Sequence, residues 1–266
     1  MGFFLPDGEQ IIVPLQIIFA SNDCPCSTNR NLSVCEQTPP IYAKFLKNLS
    51  VLNIKDYLWL QNNPMKNEIL YILLPDYADH EAVYLSQAVN CDEVGMKENP
   101  KYVNKVLAPT MEPVKSIGGF RTLPDYSFET VPDDYKALVL VGGYGWSSPL
   151  ADKVVPIVRQ AIEKGRIVGG ICNGASFLAK HGFLNAVKHT GNGLQQLRLW
   201  GGENYTNPAG YVHAQAVSDQ HIVTANGSGA IDFAKELLTL LENDTPENIQ
   251  MYCQFHKQGF CNLFPA

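Results

Sequence analysis

Ile69 to Leu74 (ILYILL) is an unbroken apolar run set between Glu68 and Pro75-Asp76. A strand with one wet face alternates polar and apolar residues, so a continuous run reads as a strand covered on both faces, the setting of a parallel sheet. The pattern recurs at Ala137–Val141 (ALVLV), which ends at Gly142-Gly143, at 166–171 (RIVGGI) and at 221–225 (HIVTA), with a further strand expected over 103–108. Helical patterns fall between these runs. Asp79 stands as a cap ahead of Ala82, Val83, Leu85, Ala88 and Val89, and a helix over 149–163 carries Pro149 in its first turn and stops at Gly165. Further helices are expected over 173–180, closed by Gly182, and over 230–241, opened by Gly227-Ser228-Gly229. Gly118-Gly119 marks a small hairpin within 114–130, Ser218-Asp219-Gln220 a second turn, and 247–258 a terminal helix. Strands alternating with helices predict an α/β domain, a parallel sheet with helices on both faces.

Residues 1–64 do not share this pattern. They lack clear periodicity, Asn22 to Asn31 (NDCPCSTNRN) is turn-rich, and only Ile41 to Leu60 is weakly amphipathic. Met65 has the character of a start codon. Residues 1–64 are then either an upstream extension, the reading favoured here, or an accessory segment ahead of a domain over 65–266.

Charge and cysteine usage narrow the function. A net charge of −6, with no run of three Lys or Arg, argues against nucleic acid or an anionic membrane as the main partner. The best apolar stretch, Ile11 to Ala20, is interrupted by Pro14 and Gln16 and follows Asp7 and Glu9, where a signal peptide would carry basic residues. Cys24, Cys26, Cys35, Cys91, Cys172, Cys253 and Cys261 are odd in number and irregularly spaced, as expected of reduced thiols in a cytoplasmic protein. Cys24, Cys26 and Cys35 lack a nearby fourth ligand, so no metal is expected, and no cofactor either.

Chemistry concentrates at Gly170-Ile171-Cys172-Asn173-Gly174. One reactive side chain stands between a buried strand and a helix, with glycine two residues away on each side, as in the nucleophile elbow of hydrolases. At a helix start the thiol meets unpaired N–H groups and the positive end of the dipole, which favour thiolate. The N–H groups after Cys172 can also receive a developing oxyanion. A small buried cysteine with no reactivity is the plain alternative. Two other strand ends face the same crevice: Pro75 to Glu81, and Gly142 to Trp146.

LPDYADHEA (Leu74–Ala82), LVGGYG (Leu140–Gly145), GGICNGASFLAKHGFL (Gly169–Leu184), KHTGN (Lys188–Asn192) and VTANGSGAIDFA (Val223–Ala234) together resemble the ThiJ/PfpI superfamily, in particular its bacterial branch labelled type 1 glutamine amidotransferase-like. The likeness runs from about Met65 to Leu241. It implies a flavodoxin-like fold, a homodimer, and a reactive cysteine, here Cys172, whose thiol is hydrogen-bonded by a glutamic acid, here Glu81. A carboxylic acid beside a thiolate holds its proton, because two adjacent anions cannot both ionise cheaply. The resemblance also implies that Gly142 and Gly143 supply oxyanion N–H groups. The histidine that directly follows the cysteine in protease-like members is replaced by Asn173, and the one found after the elbow helix in other members by Asn192. His189 is a candidate to replace the missing base and His80 a candidate to line the pocket. The late histidines His213, His221 and His256 lack the His-x-Glu pattern of glutamine amidotransferases, so glutamine hydrolysis is rejected.

Two functions remain open. One is a cysteine-dependent hydrolase or lyase-like enzyme, of amidase or glyoxalase type, acting on a small electrophilic carbonyl or amide. A deep peptidase groove is disfavoured by the missing histidine. The other is a redox- or stress-responsive protein whose Cys172 is oxidised without turnover.

Overall fold

The computed structural model describes residues 67–91 and 95–264 and, as backbone, residues 2–4 and 10–12. The chain divides into two compact units, Met1–Asn62 and Asn63–Ala266. In the first, β1 (Gly2–Phe4) pairs antiparallel with β2 (Gln10–Ile12). The amphipathic stretch at 41–60 and the Cys24, Cys26 and Cys35 group lie outside the described residues.

The second unit begins with β3 (Glu68–Ile72), then α1 (His80–Asn90), β4 (Val103–Ala108) and a small hairpin of β5 (Val114–Lys115) and β6 (Arg121–Thr122). Next come β7 (Tyr126–Ser127), β8 (Ala137–Leu140), a 3-10 segment over Pro149–Val154 and α2 (Val155–Glu163). After β9 (Ile167–Ile171) follow α3 (Asn173–Lys180), α4 (Leu194–Gly201), β10 (Ala216–Asp219) and β11 (Ile222–Ala225). The last elements are α5 (Ala230–Leu241), α6 (Pro246–Gln258) and the short α7 (Phe260–Leu263).

Seven strands form one sheet in the order β10-β11-β9-β8-β3-β4-β7. Every neighbouring pair is parallel except β10 with β11. This is the flavodoxin-like α/β architecture expected from the alternating pattern. The run at 69–74 is apolar throughout because its two faces enter different cores: Ile69, Tyr71 and Leu73 pack with α1 and α5, whereas Leu70, Ile72 and Leu74 pack with the side of α2 and α3.

Three local readings change. Asp79 makes no side-chain cap on α1; its Oδ2 instead accepts the Gly118 N–H at 3.0 Å, tying the β5–β6 hairpin to the start of α1. Pro149 opens a 3-10 segment, and the α-helix begins only at Val155, where a second proline, Pro156, occupies the first turn. Helix α4 was not legible because LQQLRLWG buries only Leu197 and its final Gly201.

Register places the strand ends where the chemistry is expected. Ile171, the last residue of β9, pairs with Ala225 of β11, and Gly170 pairs with Leu140 of β8. The residue after β9 is therefore flanked by the segment leaving β8 and by the one leaving β11.

Candidate active site

That residue is Cys172. Its N–H donates to Ala225 O at 2.9 Å, and its carbonyl accepts from Ser176 N at 3.2 Å. One bond closes the sheet and the other opens α3, so the chain must turn within a single residue. It does so with Cys172 at φ 56° and ψ −120°, a conformation that costs a side-chain-bearing residue about 1–3 kcal/mol. The glycine after the elbow answers a packing need: a Cβ on Gly174 would stand 2.4 Å from Leu140 O. Replacing it would lift α3 off the end of β8.

Glu81 reaches the thiol from the first turn of α1. It is 3 % exposed despite its place on that turn. A Cβ on Gly142 would lie 2.2 Å from Glu81 Oε2 and 2.6 Å from Cys172 Cβ. A Cβ on Gly227 would lie 3.1 Å from Cys172 Sγ and 3.2 Å from Glu81 Oε1. The segments leaving β8 and β11 are thus bare where they flank the pair, and carboxyl and thiol share the space that side chains would fill. Glu81 Oε2 is buried and makes no well-formed hydrogen bond. Burial raises the Glu81 carboxyl above the ordinary carboxylate range, with the Cys172 thiol, His80 and the Gly142 N–H offsetting part of that shift.

The thiol is raised as well, first by burial and then by the charge of Glu81. Asn192 and the Asn173 N–H pull it down but do not prevail. The thiolate expected from the helix start alone is therefore corrected: desolvation and a neighbouring carboxylate outweigh the N–H groups. Cys172 becomes anionic most easily when Glu81 holds a proton, so the two groups share one negative charge.

Both asparagines that stand in place of histidines have defined partners. Asn192 Nδ2 donates to Cys172 Sγ at 3.2 Å while its Oδ1 accepts the Gly227 N–H at 2.9 Å. Asn173 Nδ2 donates to Gly143 O at 2.9 Å and its Oδ1 accepts from Gln196 Nε2 at 2.9 Å. His80 donates from Nε2 to Gly227 O at 3.0 Å, leaving the ring at the site's edge. Gly142 stands beside both Glu81 and the thiol, and its N–H faces that carboxyl, which leaves it less suited to an oxyanion than expected, whereas Gly143 lies against the backbone of Asp76 and Tyr77.

His189 is not brought to the sulfur. It is fully buried, its Nδ1–H donating to Val187 O at 2.8 Å and its Nε2 accepting from the Tyr205 hydroxyl at 2.5 Å. Burial lowers its pKa and keeps it neutral, and both ring nitrogens are spent. The chain bends between His189 and Asn192, and only Asn192 is carried to the sulfur, so nearness in sequence misled.

A cleft of about 690 Å³ opens over Cys172, its far wall built from Tyr211, His213, Gln215, Asn226 and Ser228. His213 lines this wall although, in the sequence, it was weighed only as half of a His-x-Glu pair. Nothing in the sequence around 211–215 marked it as a wall; only the crossing that feeds the antiparallel edge strand puts it there. Among the described residues no cluster of three or more His, Cys, Asp or Glu could hold a metal ion. No described helix is long and apolar enough to cross a membrane.

The DJ-1/PfpI family model matches residues 67–240. A Bacillus subtilis protein named as an uncharacterized protease is 37 % identical over 72 % of this chain and 91 % of its own. A glutathione-independent glyoxalase of Caenorhabditis elegans is 25 % identical over 52 % of this chain and 72 % of its own. Among solved structures, a DJ-1 superfamily protein from Agrobacterium tumefaciens is 33 % identical with a TM-score of 0.63, covering 72 % of this chain and all of that one. A thiJ/pfpI family protein from Bacillus anthracis is 28 % identical with a TM-score of 0.66, covering 75 % of this chain and 93 % of that one. The chain belongs to the DJ-1/PfpI family.

Proposed function

We propose that this DJ-1/PfpI family protein is a cysteine-dependent enzyme of glyoxalase or amidase type, acting on small electrophilic carbonyl or amide compounds. The observation that carries this reading is the buried Glu81 carboxyl, set against Cys172 in the gap left by Gly142 and Gly227, with no well-formed hydrogen bond at Oε2. A buried carboxyl oxygen so poorly satisfied costs free energy unless it gains a proton or a better partner during the reaction. The thiol proton passes to Glu81 as sulfur attacks the carbonyl carbon, and the carbonyl oxygen then takes a proton to give a hemithioacetal or tetrahedral adduct. Asn192 and the Asn173 N–H steady the sulfur while it carries charge. With an amide, collapse of the adduct expels the amine, which leaves with the hydroxyl proton. With a 2-oxoaldehyde, the hemithioacetal carbon gives up its proton and the neighbouring carbonyl carbon takes one. Either way a thioester on Cys172 results, and water hydrolyses it with His213 on the cleft wall as the imidazole for that step.

The relative named as a protease makes peptide hydrolysis the neighbouring possibility. Expelling an amine needs a proton donor beside the thiol; Asn192 stands there in place of a histidine and the Asn173 side chain is spent on Gly143 O and Gln196, which disfavours peptides and ranks carbonyl compounds ahead of amides. The same two N–H donors would also hold the oxygens of a Cys172 sulfinate, which supports an oxidation-responsive role as the second reading. Turnover of methylglyoxal and of simple amides by wild type, Cys172→Ala and Glu81→Gln separates the two. Loss in both variants supports the enzyme. Absence of turnover in wild type, with peroxide oxidising Cys172 selectively, supports the second role.

A further inference from the structure

Gln215 has its carboxamide oxygen held by Asn226 Nδ2 at 2.7 Å, with Ser228 Oγ 3.1 Å away. The orientation of Asn226 is itself settled. Its Oδ1 accepts from Ser228 N at 3.0 Å and Ser228 Oγ at 2.7 Å, and its Nδ2 also faces Ala214 O and Gln215 O at 3.3 and 3.4 Å. The one hydroxyl proton of Ser228 serves Asn226 Oδ1, its nearer acceptor; Ser228 N fixes that oxygen, and Asn226 Nδ2 then requires an oxygen from Gln215, so only one assignment of the two amides fits. Gln215 therefore points its oxygen at the β11 turn, and its NH2 group, which makes no protein hydrogen bond among the described residues, remains as a fixed pair of donors on the cleft wall.

The rest of the cleft adds a constraint. Its lining among the described residues contains neutral amides, hydroxyls, glycines and one imidazole, and no Lys or Arg. A carboxylate or phosphate would enter without a countercharge and would approach Glu81, so an anion is disfavoured both at the wall and at the nucleophile.

We propose that Gln215 is a substrate-positioning residue: its locked Nε2 hydrogens bind an acceptor oxygen of an uncharged substrate whose electrophilic carbon lies at Cys172. The substrate class is a neutral compound carrying a hydrogen-bond acceptor beyond its electrophilic centre, such as a hydroxyl- or carbonyl-bearing aldehyde or an amide. A free side chain would lose rotamer entropy on each binding event, and the Asn226–Ser228 lock removes most of that loss in advance. The inference rests on Cys172 acting as the nucleophile toward such compounds.

Alkylation of Cys172 tests it without requiring turnover. Rates with iodoacetamide, iodoacetate and ethyl iodide at pH 8 are followed by mass spectrometry on the Cys172 peptide and divided by the rates for glutathione. The normalised preference for iodoacetamide over iodoacetate should be about tenfold or more. Gln215→Leu should lower the iodoacetamide rate about tenfold, the scale of one hydrogen bond, and leave the rate of ethyl iodide, which carries no acceptor oxygen, within twofold. Asn226→Leu, which releases the lock while keeping Gln215, should give an intermediate loss for iodoacetamide alone. Equal normalised rates for iodoacetamide and iodoacetate in wild type, or an equal loss for iodoacetamide and ethyl iodide in Gln215→Leu, overturns the proposal while leaving Cys172 as a nucleophile. Failure of all three reagents to modify Cys172 in folded wild type overturns the nucleophile reading itself, and the role of Gln215 with it.

Discussion

His189 and Asn192 are three residues apart, yet they belong to opposite kinds of polar cluster. Around His189 every donor has an acceptor: Val187 O takes the proton of Nδ1 and the Tyr205 hydroxyl gives one to Nε2. Around Cys172, Asn192 supplies one donor to the sulfur, but Glu81 Oε2 is buried without a well-formed hydrogen bond and the elbow itself is at φ 56°. Both clusters are mostly buried and both have displaced pKa values. A titration shift alone therefore does not distinguish a core histidine from a reactive pair; what differs is whether the hydrogen-bond inventory closes. The closed cluster belongs to the core, and the open one is the site of the proposed reaction.

Mutations that treat the two clusters alike should show them to be unlike. The largest expected effect is at the nucleophile: Cys172→Ala should lower turnover of the carbonyl or amide substrate by about 10³-fold or more, with unfolding free energy changed by less than about 1 kcal/mol. Chemical denaturation and initial rates on one preparation check both halves. Glu81→Gln should cost about 10²-fold in turnover. It should also lower the pH midpoint of Cys172 alkylation, because the charge and hydrogen bond that raise the thiol are removed. An unchanged or higher midpoint would mean that the two groups do not share a charge.

The closed cluster should respond in the other currency. Tyr205→Phe leaves His189 Nε2 without its donor and should destabilise the fold by about 1–3 kcal/mol, with turnover within twofold of wild type. Asn192→Ala removes a donor that lowers the thiol, so the alkylation midpoint should move up, opposite in sign to Glu81→Gln. The smallest effect is in stability against pH. Glu81 is raised above its ordinary 4.5, so the folded state binds this proton more tightly than the unfolded chain does. Its contribution is full below about 4.5 and is lost as pH rises through the folded value. The stability of wild type relative to Glu81→Gln should therefore decline with rising pH across the acid range. A difference that grew with pH would contradict a raised carboxyl.

How much of this was readable from the residues follows from the range of the interactions. The runs at 69–74 and 137–141 named buried strands because hydrophobic pattern is local and both faces of those strands meet a core. The elbow was readable for the same reason, since a strand, a tight turn and a helix start are adjacent in sequence. Glu81 was reached through the family resemblance, and its burial was not visible from its place on a first helical turn. The side on which His189 points depends on Tyr205, 16 residues away. The lock on Gln215 joins residues 11 and 13 positions apart across a hairpin. No local pattern encodes such partners. Asn192 looked like the loss of a histidine, whereas its two bonds to the sulfur and to Gly227 N make it a strut between strand ends.

The antiparallel pairing of β10 with β11 has one further consequence. The reacting pair rests on the ends of parallel strands buried in the domain, where a change of one residue disturbs two cores. Tyr211, His213 and Gln215, by contrast, lie in the crossing that delivers the one antiparallel edge strand. Under the proposed function, selectivity is thereby housed at the periphery and reactivity at the centre, so that an exchange of the crossing would alter what is bound while the ends of the parallel strands keep the thiol in place.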